Sequence, residues 1–284
     1  MGEQNVDEKS DTRELGVFMK HLLKDVHALE LMLEKGMVES AVRRIGAEQE
    51  LFLADRTWHP APRSTEILSK LDQNQFTTEL GRFNLEFNLE PVEFGEFCLS
   101  SLEEQLELHL AELRRVASEF GCEVVLTGIL PTIKKSDLGL ENMTPKPRYA
   151  ALNEAMSRLR GRLYEFNIRG IDELIVQHDN VMLEACNTSF QLHFQVAPDE
   201  FAELYNVAQL ISAPLLAGAT NSPLLFGKRL WRETRIAVFQ QAVDTRRATP
   251  YLRESKGRVS FGTRWVDSSI LEIFREDIAR YRLI

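Results

Sequence analysis

Apolar and polar positions recur with two distinct periods along this chain. Over residues 14–35, Leu15, Phe18, Leu22, Val26, Leu29 and Leu33 follow one another at steps of three and four, the spacing of a single helix face. Gly36 then stands where a helix-ending glycine belongs. Ser100-Ser101-Leu102-Glu103-Glu104 holds a capping box in either register and predicts a second helix. Its stripe runs through Leu102, Leu106, Leu113, Ala117 and Phe120 and stops at Gly121. Further helices are predicted over about 149–165, 198–213 and 229–244, and an amphipathic segment over 270–284. The period is two elsewhere. Phe83, Leu85, Phe87 and Leu89 alternate with Arg82, Asn84, Glu86, Asn88 and Glu90. Phe190, Leu192, Phe194 and Val196 alternate with Gln191, His193 and Gln195, and a strand over Ile45–Leu53 puts Glu48 and Glu50 on one face.

Strands with one apolar face, not in strict alternation with helices, predict an α+β fold: a curved, mainly antiparallel sheet with helices packed on its apolar face. Residues 133–148, with Lys134, Lys135, Gly139, Pro145 and Pro147, read as a long ordered loop, a length usually tied to function. Residues 1–13 are polar, and no internal repeat or low-complexity linker interrupts the chain.

Charge narrows the partners. The 284 residues carry a net charge of −9, against bulk nucleic-acid binding and against docking on an anionic membrane. Small-molecule substrates remain the expected partners; a homo-oligomer stays open. Three scattered cysteines, Cys98, Cys122 and Cys186, fit a reducing cytoplasm better than a disulfide framework. The N-terminus lacks the basic and apolar regions of a signal peptide, Val6 stands where a myristoylation motif needs Ser or Thr, and the longest nearly apolar run, Leu210 to Ala219, is too short to span a bilayer. A soluble cytoplasmic protein is the expectation.

The polar faces of the strands are unusual. Solvent-facing strand positions favour Thr, Lys, Arg or Tyr, whereas here they hold Glu, Asn, Gln and His. Either these faces are simply wet, or the carboxylates and an imidazole gather to hold a hard cation such as Mg²⁺ or Mn²⁺. Basic residues collect elsewhere: Lys228, Arg229, Arg232 and Arg235 against Glu233. If 229–244 is one helix, the three arginines share a face, suited to phosphate or carboxylate recognition or else to solvated ion pairs. The turn-rich Ala219-Thr220-Asn221-Ser222-Pro223 precedes them. No P-loop, Rossmann glycine turn or G-x-S-x-G elbow occurs, so a bound nucleotide would be held differently.

Together these segments resemble the glutamate–cysteine ligase type 2 family of carboxylate–amine ligases, within the glutamine synthetase superfamily. Glu48-Gln49-Glu50 is similar to the E-x-E strand of that superfamily. Thr77-Thr78-Glu79-Leu80 running into Leu85-Glu86-Phe87 resembles the second acidic strand, and Leu192-His193-Phe194 the strand with the metal-binding histidine. Met143-Thr144-Pro145-Lys146-Pro147-Arg148-Tyr149 resembles the M-P-K-x-R-Y substrate loop with one insertion. Asn221-Ser222-Pro223 and the arginine segment resemble the family's loop and anion-binding helix. The likeness spans roughly 40–247.

The resemblance implies an open funnel built on the sheet. It implies ATP-dependent phosphorylation of a substrate carboxylate and attack by an amine on the acyl phosphate, with γ-glutamylcysteine as the product in the namesake reaction. It also implies residue roles. Glu48, Glu50, Glu86 and His193, with Glu79 in support, would hold Mg²⁺ or Mn²⁺ against ATP. Arg232 and Arg235 would act on the migrating phosphate or the substrate carboxylate. Lys146, Arg148, Tyr149, Asn221 and Ser222 would bind substrate. The ligase domain would occupy 41–284 after an N-terminal segment and helix over 1–40. Because the family has a late strand with a further metal ligand and an arginine, a C-terminal truncation is expected. A non-catalytic ATP- and amino-acid-binding module on the same fold, or a metal-dependent hydrolase using the carboxylate face, are the competing readings.

Overall fold

The computed structural model describes residues 12–72, 74–160, 163–244 and 257–281. The polar stretch through residue 11, residues 245–247 at the end of the family likeness and the last three residues of the predicted C-terminal segment lie outside them. In chain order the elements are α1 (Thr12–Glu34), β1 (Arg44–Ala54), α2 (Ser64–Leu68), β2 (Phe76–Thr78), β3 (Asn84–Glu93), α3 (Cys98–Glu119), β4 (Glu123–Val125), α4 (Pro147–Arg160), β5 (Tyr164–Arg169), β6 (Glu173–His178), β7 (Phe190–Phe194), α5 (Phe201–Gly218), β8 (Leu224–Leu225), β9 (Lys228–Arg229), α6 (Arg235–Ala242) and α7 (Leu271–Arg280).

The central sheet is built on β1. It is antiparallel throughout, in the order β2-β3-β1-β4, with β7 pairing the first half of β1 and β4 its end. This is the mixed α and antiparallel β architecture that the strand pattern predicts. Leu51, Leu53, Leu85 and Phe87 face α3, where Leu102, Leu110, Leu113 and Val116 complete one hydrophobic core. A second core lies on the opposite side. Phe52 and Phe83 stack there with centroids 6.4 Å apart, joined by Phe166, Ile168, Met182, Leu183 and Val238. The sheet is therefore covered on both faces, not on one, because Leu80, Tyr149 and the apolar turn Val181–Cys186 close over its second side. Outside this unit, the half-buried side of α1 meets α7, tied by an Arg275–Glu30 ion pair at 2.7 Å.

Other expectations fail for local reasons. The helix expected over 149–165 ends at Arg160, since Phe166 and Ile168 alternate as a strand and both bury in the second core. The single helix expected over 229–244 does not form. Lys228 and Arg229 belong to a β8–β9 hairpin closed by Phe226 and Gly227, both at positive φ, and α6 begins only at Arg235. Arg229, Arg232 and Arg235 thus share no helix face. The apolar side of β7 does not enter a core: Leu192 is 42% and Phe194 57% exposed, with Phe194 meeting the Phe94 ring edge-on. The stretch expected as a loop over 133–148 is an ordered loop through 146, with short 3₁₀ turns at Lys135–Leu138 and Leu140–Asn142, and its last two residues already belong to α4. Among the described residues no helix is long and apolar enough to cross a membrane.

Leu113 is wholly buried between α3 and the sheet. Leu113→Ala is expected to destabilise the protein by about 2–5 kcal/mol, transfer and cavity terms together. The midpoint of urea unfolding, with an unchanged denaturant slope, measures it.

Candidate functional site

Three carboxylates meet on the second face of the sheet. Glu50 on β1 stands directly opposite Glu86 on β3, so their side chains leave the same face. Glu79 follows β2, whose Thr77 pairs with Glu86. The Glu79 backbone is pinned by Thr144: its hydroxyl donates to Glu79 O at 2.6 Å, and its amide to Leu80 O at 2.9 Å. One oxygen from each of Glu50, Glu79 and Glu86 lies within 4.8 Å of the others.

Nearby donors orient the group. Ser189 N donates to Glu50 Oε2 at 2.8 Å and Gln191 Nε2 to Glu50 Oε1 at 2.9 Å, while Asn88 Nδ2 donates to Glu86 Oε1 at 3.2 Å. Burial pushes the Glu50 carboxyl up from its ordinary range, opposed by the Ser189 and Gln191 bonds and reinforced by the charge of Glu86. Glu79 is held well above that range by burial, then by a hydrogen bond with Glu86 and the charges of Glu50, Glu86 and Glu184. Glu184 is pushed up to about 7 by burial and the charge of Glu50, against the pull of Arg148. Without a cation, such a group relieves its repulsion by keeping protons. The buried Thr78 hydroxyl beside Glu79 and the buried amide of Asn187 have no hydrogen-bond partner. An all-oxygen, acidic donor set of this kind fits a hard divalent ion.

The remaining expected residues fall into three groups. Glu48 and His193 form a neighbouring pair, Oε1 to Nε2 at 3.7 Å, on the same face as Glu50 but outside the tight triad. Glu79, expected only in support, is central instead.

Lys146 immediately precedes α4, and Arg148 and Tyr149 lie in its first turn. The Arg148 guanidinium lies 5.2 Å from the Tyr149 ring centroid. Tyr149 is buried, donates its hydroxyl to Thr78 O at 3.0 Å, and has its pKa raised to about 12 by burial and the charge of Glu79.

Asn221, Ser222 and Arg235 converge on Glu233. The Ser222 hydroxyl and the Arg235 guanidinium both donate to its carboxylate, and the Asn221 amide adds a bond at 3.2 Å. Arg235 Nη1 also donates to Thr188 O at 2.8 Å. A side chain at Gly128 would put its Cβ 2.6 Å from Arg235 Nε, so only glycine leaves room for that guanidinium. Arg232 is exposed and has no carboxylate within ion-pair distance among the described residues. Arg229 pairs with Asp172 on the β5–β6 turn.

The residue that sequence reasoning missed is Glu184. Its signal was a single charge inside the apolar run Val181-Met182-Leu183-Glu184-Ala185-Cys186.

The sequence profile of glutamate–cysteine ligase family 2 matches residues 44–268, and the chain belongs to that family. An uncharacterized protein of Archaeoglobus fulgidus is 26% identical over 205 residues, 69% of this chain and 50% of the relative. The chain therefore spans about half the length of that curated relative.

The raised Glu184 carboxyl sets a pH dependence in metal-free protein. An unfolded glutamate titrates near its ordinary 4.5, whereas the folded side chain keeps its proton to about 7. The folded state therefore has its full stability below the unfolded value and loses it as pH rises through 7. Glu184→Gln is expected to match the parent near pH 4 and to exceed it near pH 8 by up to about 3 kcal/mol, measured by denaturant unfolding in EDTA.

Proposed function

We propose that the protein is an ATP-dependent carboxylate–amine ligase of the glutamate–cysteine ligase type, joining an amino acid to an amine through an acyl phosphate. The observation that carries this reading is the Glu50–Glu79–Glu86 triad, three carboxylates within 4.8 Å in a member of this ligase family. In this reading the antiparallel sheet forms a wall of an open, glutamine synthetase-like funnel, and residues 41–284 form the catalytic domain. The three free, buried cysteines suit a reducing cytoplasm.

Glu50, Glu79 and Glu86, with Glu48 and His193 alongside, would hold Mg²⁺ or Mn²⁺, which supplies neutralisation of phosphate charge. The chain's own residues position the reactants. Lys146, Arg148 and Tyr149 would border the amino-acid pocket, with Arg148 facing a substrate carboxylate. That carboxylate attacks the terminal phosphorus of ATP and ADP leaves. The amine then attacks the acyl carbon, and inorganic phosphate leaves as the amide forms. Arg232, exposed and without a carboxylate partner among the described residues, suits the phosphate in transit. Arg235 is committed to Glu233 and Thr188, which favours a positioning role: Thr188 precedes Ser189, the donor to Glu50. Asn221 and Ser222 would serve through the same Glu233 knot.

The test is ADP release with ATP, Mg²⁺, glutamate and a panel of amines including cysteine, alongside Mn²⁺ titration. Turnover is expected with at least one pair. Glu50→Gln and Glu86→Gln are each expected to lower kcat at least about 100-fold and to weaken Mn²⁺ binding, since each removes a ligand charge. Wild-type Mn²⁺ affinity in both variants would overturn the metal assignment. ATP and Mn²⁺ binding without turnover for any pair would favour the non-catalytic module.

A further inference from the structure

A cleft of about 440 Å³ whose lining holds none of the acidic triad is bordered by His59, Thr132, Ile133, Lys134, Lys135 and Phe226. Its size suits a small molecule. Two features set it apart from an ordinary surface groove. First, in a chain of net charge −9 it gathers two exposed lysines, and neither ammonium has a carboxylate within ion-pair distance among the described residues. Second, two bulky aromatic residues hold backbone conformations that normally call for glycine or asparagine. Phe226 has φ 49 in the two-residue β8–β9 turn, and Trp58 has φ 64 in the turn that presents His59. Both abut the same loop: Phe226 lines the cleft, and the Trp58 carbonyl accepts the Thr132 hydroxyl. The His59 ring is steadied by Thr57 Oγ1, 3.0 Å from Nδ1. Strain held at two adjoining turns marks a conformation kept for a purpose other than stability.

We propose that this cleft binds an organic phosphate. The phosphate lies against Lys134, Lys135 and the His59 ring, and the apolar portion of the ligand lies against the Phe226 ring, since Ile133 beneath it is buried in the core. Charge-assisted bonds from the lysines supply recognition of the anion. The half-buried Phe226 surface favours a ligand with a flat or apolar body over a bare inorganic ion. The inference stands apart from the ligase reading, because none of these side chains belongs to the acidic triad. The two are also separable in solution. Binding that survives chelation and is lost when both cleft lysines are neutralised belongs to the cleft.

The experiment is calorimetric titration of the full chain in EDTA with two probes, ADP and inorganic pyrophosphate. ADP is expected to bind at least about tenfold more tightly than pyrophosphate, and K134Q/K135Q to weaken ADP at least about tenfold. Both lysines are exposed, so the double variant should fold, and retained Mn²⁺ binding by that variant checks this directly. Unchanged ADP affinity in K134Q/K135Q, or no ADP binding by the parent, would overturn the site. Equal affinity for ADP and pyrophosphate would overturn the organic part of the assignment.

Discussion

Everything near the site depends on one unfavourable arrangement: Glu50 and Glu86 are paired directly across two central strands. Like charges opposite one another weaken a sheet, and burial makes the repulsion stronger than it would be in water. The structure tolerates it because β1 and β3 are clamped from both sides. Leu51, Leu85 and Phe87 are locked under α3, while Phe52, two positions after Glu50, and Phe83, three before Glu86, stack into the second core. The apolar contacts that fix strand register also force the carboxylates together, since a one-residue slip would turn both sets to the wrong faces. Stability supplied by the two cores is thus what holds the acids in their strained proximity.

The environment changes steadily along β1. At its Phe52 end the face is dry and apolar. At Glu50 it is polar and largely covered, with donors from Ser189, Gln191 and Asn88. At His193 it is open, the side chain being 52% exposed, while its neighbour Glu48 is only 19% exposed. β7 joins the sheet through β1 alone, and its apolar side chains stay exposed, so His193 is placed by its register opposite Gly46 and not by packing. The triad is accordingly the covered, electrostatically demanding part of the group, and His193 the hydrated part.

Period-two alternation made the central strands readable in advance. With it came the acidic residues on one face, because side-chain direction in a strand follows from position alone. Helices α3 and α5 were legible to within a few residues at their starts for the corresponding reason. What periodicity could not give was coverage. The apolar turn Val181–Cys186 and the loop around Thr144 bury the polar face through contacts distant in sequence, and it is this tertiary closure that makes Glu79 central and brings Glu184 into play. The arginine segment misled because steps of three satisfy a helix template. The left-handed turn at Phe226 and Gly227 and the side-chain bonds of Glu233 offered that backbone a different solution.

That different solution carries consequences for the site. Gly128 N donates to Asn221 O and Thr188 N to Gly128 O, both at 3.0 Å, and Arg235 spans Glu233 and Thr188. A continuous run of bonds therefore leads from the Asn221–Ser222 loop through Gly128 and Thr188 to Ser189, and so to the Glu50 carboxylate. Ser222, Glu233 and Thr234 are almost completely buried within it. Removing one charge from a buried, hydrogen-bonded pair leaves the other uncompensated, so losing either Arg235 or Glu233 would release the Thr188–Ser189 segment. The arginine that a helix template would aim at a ligand is instead bonded to Glu233 and to the Thr188 carbonyl, one residue before the backbone donor to Glu50.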